Sequence, residues 1–133
     1  MYSVEVRDRI MIAHSLPDPF FGPAQGKHGA SFVVDVAFFR EKLTAENVVV
    51  DIGAALDALS NALKRLAYQD LDTLPEFKGK LTTTEFLCKY VFDCMIEAAK
   101  AGALGKDADG LAKIRVTLHE HDLARAAFEG SLP

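Results

Sequence analysis

No cluster of lysine and arginine occurs anywhere in this chain. Its 15 Lys and Arg are scattered among 19 Asp and Glu, for a net charge of -4 over 133 residues. The basic footprint of a nucleic-acid-binding surface is therefore missing. Long apolar runs are missing too: nothing approaches the ~20 residues that span a bilayer. The opening Met1-Tyr2-Ser3-Val4-Glu5 has no signal-peptide pattern. A cytoplasmic protein with no nucleic-acid or membrane partner is expected. Cysteine is scarce. Cys88 and Cys94 lie six apart in a segment of helical periodicity, about 240° around the helix at ~100° per residue. They cannot pair with each other there and are expected as buried, reduced thiols. No Gly-x-Gly-x-x-Gly or Walker run offers a phosphate cradle, and no Gly-x-Ser-x-Gly elbow offers a serine nucleophile.

What is present suffices for one domain, 1–133. Half of the residues are hydrophobic and 26% are charged, the ordinary balance of a soluble globular protein. The length allows a core to be buried without disulfide or metal staples.

The first segment, 2–14, alternates. Tyr2, Val4, Val6, Ile10, Ile12 and His14 share one face of a strand, with Asp8 interrupting the row and suggesting a bulge. Pro17, Pro19, Gly22, Pro23, Gly26 and Gly29 break regular structure and predict a loop over 15–29. A second strand follows over 30–40, with Ala30, Phe32, Val34, Val36 and Phe38 on one face and Ser31 and Asp35 on the other. His28 joins the apolar side if the extended geometry begins by 28. A turn at 42–46 makes the first two strands antiparallel neighbours. The β-branched stretch Asn47–Asp51 reads as a third, short strand.

Helical periodicity then takes over. Ile52, Leu56, Leu59, Leu63 and Leu66 form an apolar stripe running to about Tyr68, with Asp51 as N-cap. An irregular connection spans 69–80. A second helix begins at Thr82-Thr83-Thr84-Glu85, where Thr82 and Glu85 fit a capping box, and Leu87, Val91, Cys94 and Ala98 form its inner stripe. Alternation resumes over 112–121, and 124–129 closes the chain as a last strand. Helices grouped between antiparallel strands indicate an α+β two-layer sandwich. Val33, Ala37 and Phe39 make the second strand's other face partly apolar, which invites closure of the sheet into an oligomeric barrel.

Three strand ends place polar residues in line with the buried face: His14, His28 and Glu120. Two imidazoles and a carboxylate meet the ligand count of a catalytic zinc, although the 14-residue spacing is no motif, and satisfied or solvated histidines are the plainer alternative. His119 and His121 share the opposite face from Glu120. They form either a metal-binding pair or a polar outward surface. Glu120 calls for a partner with two adjacent N–H donors, such as a guanidinium-like heterocycle edge or an arginine of the protein itself.

In order and spacing, these segments resemble the 6-pyruvoyltetrahydropterin synthase family, including the 6-carboxytetrahydropterin synthases, across nearly the whole chain. Ile12-Ala13-His14-Ser15-Leu16 is similar to Ala-Ala-His-Arg-Leu, and His28-Gly29-Ala30-Ser31-Phe32 to His-Gly-His-Ser-Phe. Asn47–Ile52 resembles Gly, three hydrophobics, then Asp-Phe. Leu66–Asp72 lies where the family has Leu-Asp-His-x-x-Leu-Asn. Thr82–Glu85 resembles Pro-Thr-Ser-Glu, and Leu118–His121 the segment ending in Glu-Thr.

The resemblance implies a tunnelling fold (T-fold). In it a four-stranded antiparallel sheet is packed on two helices, and subunits form a homo-oligomeric barrel, a trimer or a hexamer. It also implies a three-histidine zinc site, a glutamate anchoring a pterin-like small molecule, a cysteine base and an Asp-His pair acting on dihydroneopterin triphosphate. His14 and His28 match two metal ligands and Glu120 the pterin anchor. The third ligand position is Ala30, the cysteine position is Ala24, and the Asp-His pair falls on Ala67 and Tyr68. Zinc binding is therefore expected to be weak or absent.

The expected protein keeps pterin recognition and has lost or altered the zinc-dependent lyase chemistry. If it is active, it is a carbon–oxygen lyase of pterin metabolism, with Tyr68, Asp70, His119 or His121 recruited to catalysis. The alternative is a non-catalytic, ligand-binding or structural oligomeric paralogue.

Overall fold

The computed structural model describes residues 1–133. Four strands, β1 (Tyr2–His14), β2 (His28–Arg40), β3 (Lys113–His121) and β4 (Ala124–Ser131), form one antiparallel sheet in the order β1-β2-β3-β4. Two helices, α1 (Ile52–Leu63) and α2 (Thr84–Lys100), cover one face, α1 against β1 and α2 against β3 and β4. The core lies between these layers. Val34, Val36 and Phe38 of β2 and Ile114, Val116 and Leu118 of β3 are fully buried against Leu59 of α1 and Leu87, Val91 and Met95 of α2. Each large side chain so buried contributes roughly 1.5–3 kcal/mol of transfer free energy. No helix is long and apolar enough to cross a membrane.

The alternating patterns predict the four long strands well, and several details differ. β2 begins at His28, two residues earlier than the pattern indicates, and so brings His28 into the ladder. Asp8 pairs regularly with Val34 without a bulge. The irregularity lies instead between His119 and His121, where the β3–β4 register shifts.

No strand forms over 47–51, and the segment pairs with no strand of the sheet. Asn47, with φ of 61°, makes a turn whose N–H donates to the Thr44 carbonyl, and Val49 and Val50 bury their side chains as loop residues. The Val49 carbonyl is met by the buried Arg40 side chain, Nε donating at 2.9 Å. The Arg40 Nη2 donates to the Asp107 carbonyl.

Asp51 caps α1 as expected, accepting from the Ala54 N–H at 3.0 Å, but the regular helix stops at Leu63 and turns carry the chain to Tyr68. At α2 the capping residue is Thr83, accepting from the Phe86 N–H at 3.1 Å, and not Thr82. The buried stripe of α2 runs through Met95, leaving Cys94 only half-buried. Cys88 is buried as expected.

Candidate functional site

The β1–β2 register sets His14 directly opposite His28 at the end of the ladder. Their rings meet edge to face, with centroids 4.6 Å apart. His14 is 4% exposed, and its Nδ1 lies 3.0 Å from the Thr82 hydroxyl. The hydroxyl freed by the shift of the helix cap to Thr83 thus orients a histidine. His28 Nδ1 lies 2.8 Å from the Gly26 carbonyl. A carbonyl only accepts, so this nitrogen donates and the Nε2 lone pair is left open. Burial, and then the neighbouring His28, lower the pKa of His14 and favour its neutral form.

These rings line a cavity of about 480 Å³ with Ala24, Ala30, Glu120 and the first turn of α2. Glu120 makes no hydrogen bond within the protein, and its charge reaches His14. His14, His28 and Glu120, selected from three separate strands, are therefore gathered in one place. So are the alanines at 24 and 30.

The donor set does not fit a three-histidine metal site. Ala30 supplies no donor, and no three His, Cys, Asp or Glu side chains in the chain are grouped closely enough to hold an ion. His121 lines the same cavity, with its Nδ1 accepting from the Leu123 N–H at 3.1 Å.

A second cavity of about 660 Å³ opens on the other face of the sheet, lined among others by Arg9, Met11, Ala67, Tyr68 and His119. The two cavities share Ser31, Phe32, Glu120 and His121. They adjoin because β3 pairs with β2 only from Val33 onward, so residues 28–32 of β2 have no β3 neighbour. Tyr68 stands 83% exposed at the second cavity, held at φ of 59° with its N–H donating to the Met11 carbonyl at 2.7 Å. Asp70 lines neither cavity. It accepts from Lys27 Nζ at 2.8 and 2.7 Å and caps the turn at Leu71–Thr73, which ties the 15–29 loop down together with Asp72. Its surroundings are those of a loop clamp.

The cysteines are remote from this chemistry. Burial pushes the Cys88 thiol up to about 11, and it donates to the Ala126 carbonyl at 3.2 Å. Cys94 is raised by burial as well.

Sequence reasoning missed one network. Asp35, on the sheet face away from the helices, accepts a two-pronged bond from Arg7, at 2.7 Å from Nε and 2.9 Å from Nη2. It also lies 2.7 Å from His119 Nε2. Its place in the polar row was visible, but its partners depend on a register across three strands that no local pattern reveals.

The Arg7 hydrogen bonds hold the Asp35 carboxyl below the usual carboxylate range against the opposing effect of burial, with His119 assisting. A lowered folded value stabilises the fold above the unfolded carboxylate value near ~4, and this stabilisation is lost as pH falls through the folded value. Asp35→Asn is therefore expected to be less stable than the parent at pH 7 in urea titrations, with the gap closing below about pH 4. A gap of constant size down to pH 2.5 would contradict this assignment.

The family model described as 6-pyruvoyl tetrahydropterin synthase matches residues 3–131. The chain belongs to the 6-pyruvoyl tetrahydropterin synthase family. No curated protein matches the sequence. Among solved structures, the Caenorhabditis elegans 6-pyruvoyl tetrahydropterin synthase superposes with a TM-score of 0.79 at 22% identity, covering 98% of this chain and 96% of that one. The Plasmodium vivax enzyme gives 0.77 at 14%, covering 98% and 99%. The Plasmodium falciparum enzyme gives 0.76 at 15%, covering 97% and 98%. These likenesses establish the T-fold.

Proposed function

We propose that this 6-pyruvoyl tetrahydropterin synthase-like protein binds a pterin-type heterocycle through Glu120, and that the zinc-dependent lyase reaction on dihydroneopterin triphosphate is lost or altered. The carrying observation is the Glu120 carboxylate. It is free of protein partners where two cavities meet, and a carboxylate there suits two parallel N–H donors such as the aminopyrimidinone edge of a pterin. Ala24, Ala30 and Ala67 support the second half, since none can ligate a metal or move a proton. His14 and His28 are the two metal-ligand positions retained. With two imidazoles and no third donor grouped with them, no step is assigned to zinc. The site belongs, on this proposal, to a cytoplasmic homo-oligomer, a trimer or hexamer. The same three alanines also favour a second reading, a non-catalytic paralogue whose cleft only binds or only supports assembly.

A thermal-shift titration with neopterin, 7,8-dihydroneopterin and guanine tests the anchor. The parent protein is expected to be stabilised, and Glu120→Gln to bind about tenfold to a hundredfold more weakly, the worth of charge-assisted hydrogen bonds at ~1.5–3 kcal/mol. A shift that survives Glu120→Gln removes the anchor. No shift with any of the three leaves the structural reading standing.

A further inference from the structure

The Asp35–His119 pair has no role in the scheme above, yet it borders the same cleft. Asp35 is 4% exposed, and its carboxylate is fixed from the far side by the two Arg7 bonds. His119 spends only Nε2 on it, at 2.7 Å. No buried side-chain nitrogen or oxygen lacks a partner, and His119 Nδ1 makes no protein hydrogen bond, so that nitrogen is open to its surroundings. His119 lines two cavities, one with Ala67, Tyr68 and Glu120 and a smaller one with Asp35, Arg115 and Arg125. Arg9 on β1 and Asp122 also line the larger of these, Glu5 on β1 and Arg115 line the smaller, and Arg125 stands opposite His119 on β4. A carboxylate that fixes one imidazole nitrogen and leaves the other free in a cavity is the arrangement of an oriented general base.

We propose that His119 is a proton-transfer residue of this cleft, with Asp35 as its positioning residue, and that it acts on a carbon-bound hydrogen of the bound heterocycle. The pair borders the cavity that Ala67 and Tyr68 also line. The assignment rests on the pterin reading above for the class of ligand. In 7,8-dihydroneopterin the ring C=N bond acidifies the hydrogen on the adjoining side-chain carbon. His119 Nδ1 takes that proton, and the electron pair of the broken C–H bond moves into the C=N system to give the aza-enolate anion paired with the imidazolium. The imidazolium then returns a proton to the same carbon. No oxidant, metal or leaving group is needed, and in D2O the returned proton is a deuteron.

The experiment follows deuterium incorporation into saturating 7,8-dihydroneopterin by proton NMR, so that changes in affinity drop out. The parent protein is expected to catalyse exchange at the side-chain carbon. His119→Ala is expected to exchange at least about a hundredfold more slowly, the lower range of a general-base contribution, with added imidazole restoring part of the rate. Asp35→Asn is expected to slow exchange about tenfold or more by misorienting the ring. Rescue by imidazole is a response that a purely structural role of His119 would not produce. Exchange at the parent rate in His119→Ala overturns the proposal, as does a saturated parent protein that exchanges no faster than buffer. If the parent gives no thermal shift with 7,8-dihydroneopterin, the pterin reading itself has failed, and the assignment falls with it.

Discussion

Ala30→His is expected to convert the chain into a protein that retains one equivalent of zinc per subunit through dialysis against a weak chelator. The parent protein should lose it. Two of the three imidazoles are already placed. His14 and His28 face each other with ring centroids 4.6 Å apart, and each has its Nδ1 held, by the Thr82 hydroxyl at 3.0 Å and by the Gly26 carbonyl at 2.8 Å. Outer partners of this kind fix ring orientation and leave the other nitrogen for the ion, and their loss alone typically costs about 10–100-fold in affinity. Residue 30 lies two positions beyond His28 on the same strand, hence on the same face, and borders the same cavity of about 480 Å³. A third imidazole completes a three-nitrogen site with one position open. The gain in zinc affinity should be about a hundredfold or more, since a ligand is added and not an outer partner. Metal content by mass spectrometry and a competition titration would measure it. An Ala30→His protein that holds no more zinc than the parent would mean that His14 and His28 are not positioned as ligands.

Arg40→Met should be among the most destabilising single changes outside the apolar core. The Arg40 side chain is buried, and its hydrogen bonds go to backbone carbonyls: Val49 on the loop before α1, and Asp107 on the turn before β3. These carbonyls belong to segments with no place in the sheet, so methionine would leave the Val49 carbonyl without a donor and the Asp107 carbonyl with only the Gly110 N–H. With ~1–3 kcal/mol for the stranded Val49 carbonyl and ~0.5–1.5 kcal/mol for the bond lost at Asp107, the loss is about 2–4 kcal/mol. That is a large fraction of the ~5–15 kcal/mol that holds a typical domain. Gly110 belongs to the same construction, because a Cβ there would collide with Arg40 Nη1. Urea unfolding of Arg40→Met at pH 7 reads the effect. A change below about 1 kcal/mol would show that water replaces the guanidinium at both carbonyls.

The parts of the fold that could be read from the sequence are those where side-chain pattern and tertiary environment agree. Even-numbered residues of β2 and β3 alternate inward because one face meets the helices, and the pattern survives at almost every position. The segment 47–51 has the same β-branched character and no strand, since suitable residues form a strand only where their backbone pairs with another, and here the turn at Asn47, with φ of 61°, takes the chain another way. Thr82 and Thr83 are equivalent as caps by composition, and a single residue of helix phase decided which of them reached His14. The convergence of His14, His28 and Glu120 was legible because each ends an apolar row. Asp35 was not, because its meaning comes from Arg7 and His119, 28 and 84 residues away along the chain. Asp70, which looked available for chemistry, is occupied by Lys27 from a loop whose path no periodicity describes.

The segment around Tyr68 also governs an edge of the molecule. Tyr68 and Ala13 hydrogen-bond across to Met11 and Gln69, and Ala13 forms a parallel bridge with Asp70. This short stretch closes the last part of the outer rim of β1, while Tyr2–Ile10 remains unpaired on that side. A further strand laid along β1 could hydrogen-bond over the open part and would then run into residues 68–70. The rim therefore carries a built-in end stop. It limits how far an added strand can slide, so that any such pairing is phased before a single side chain is matched.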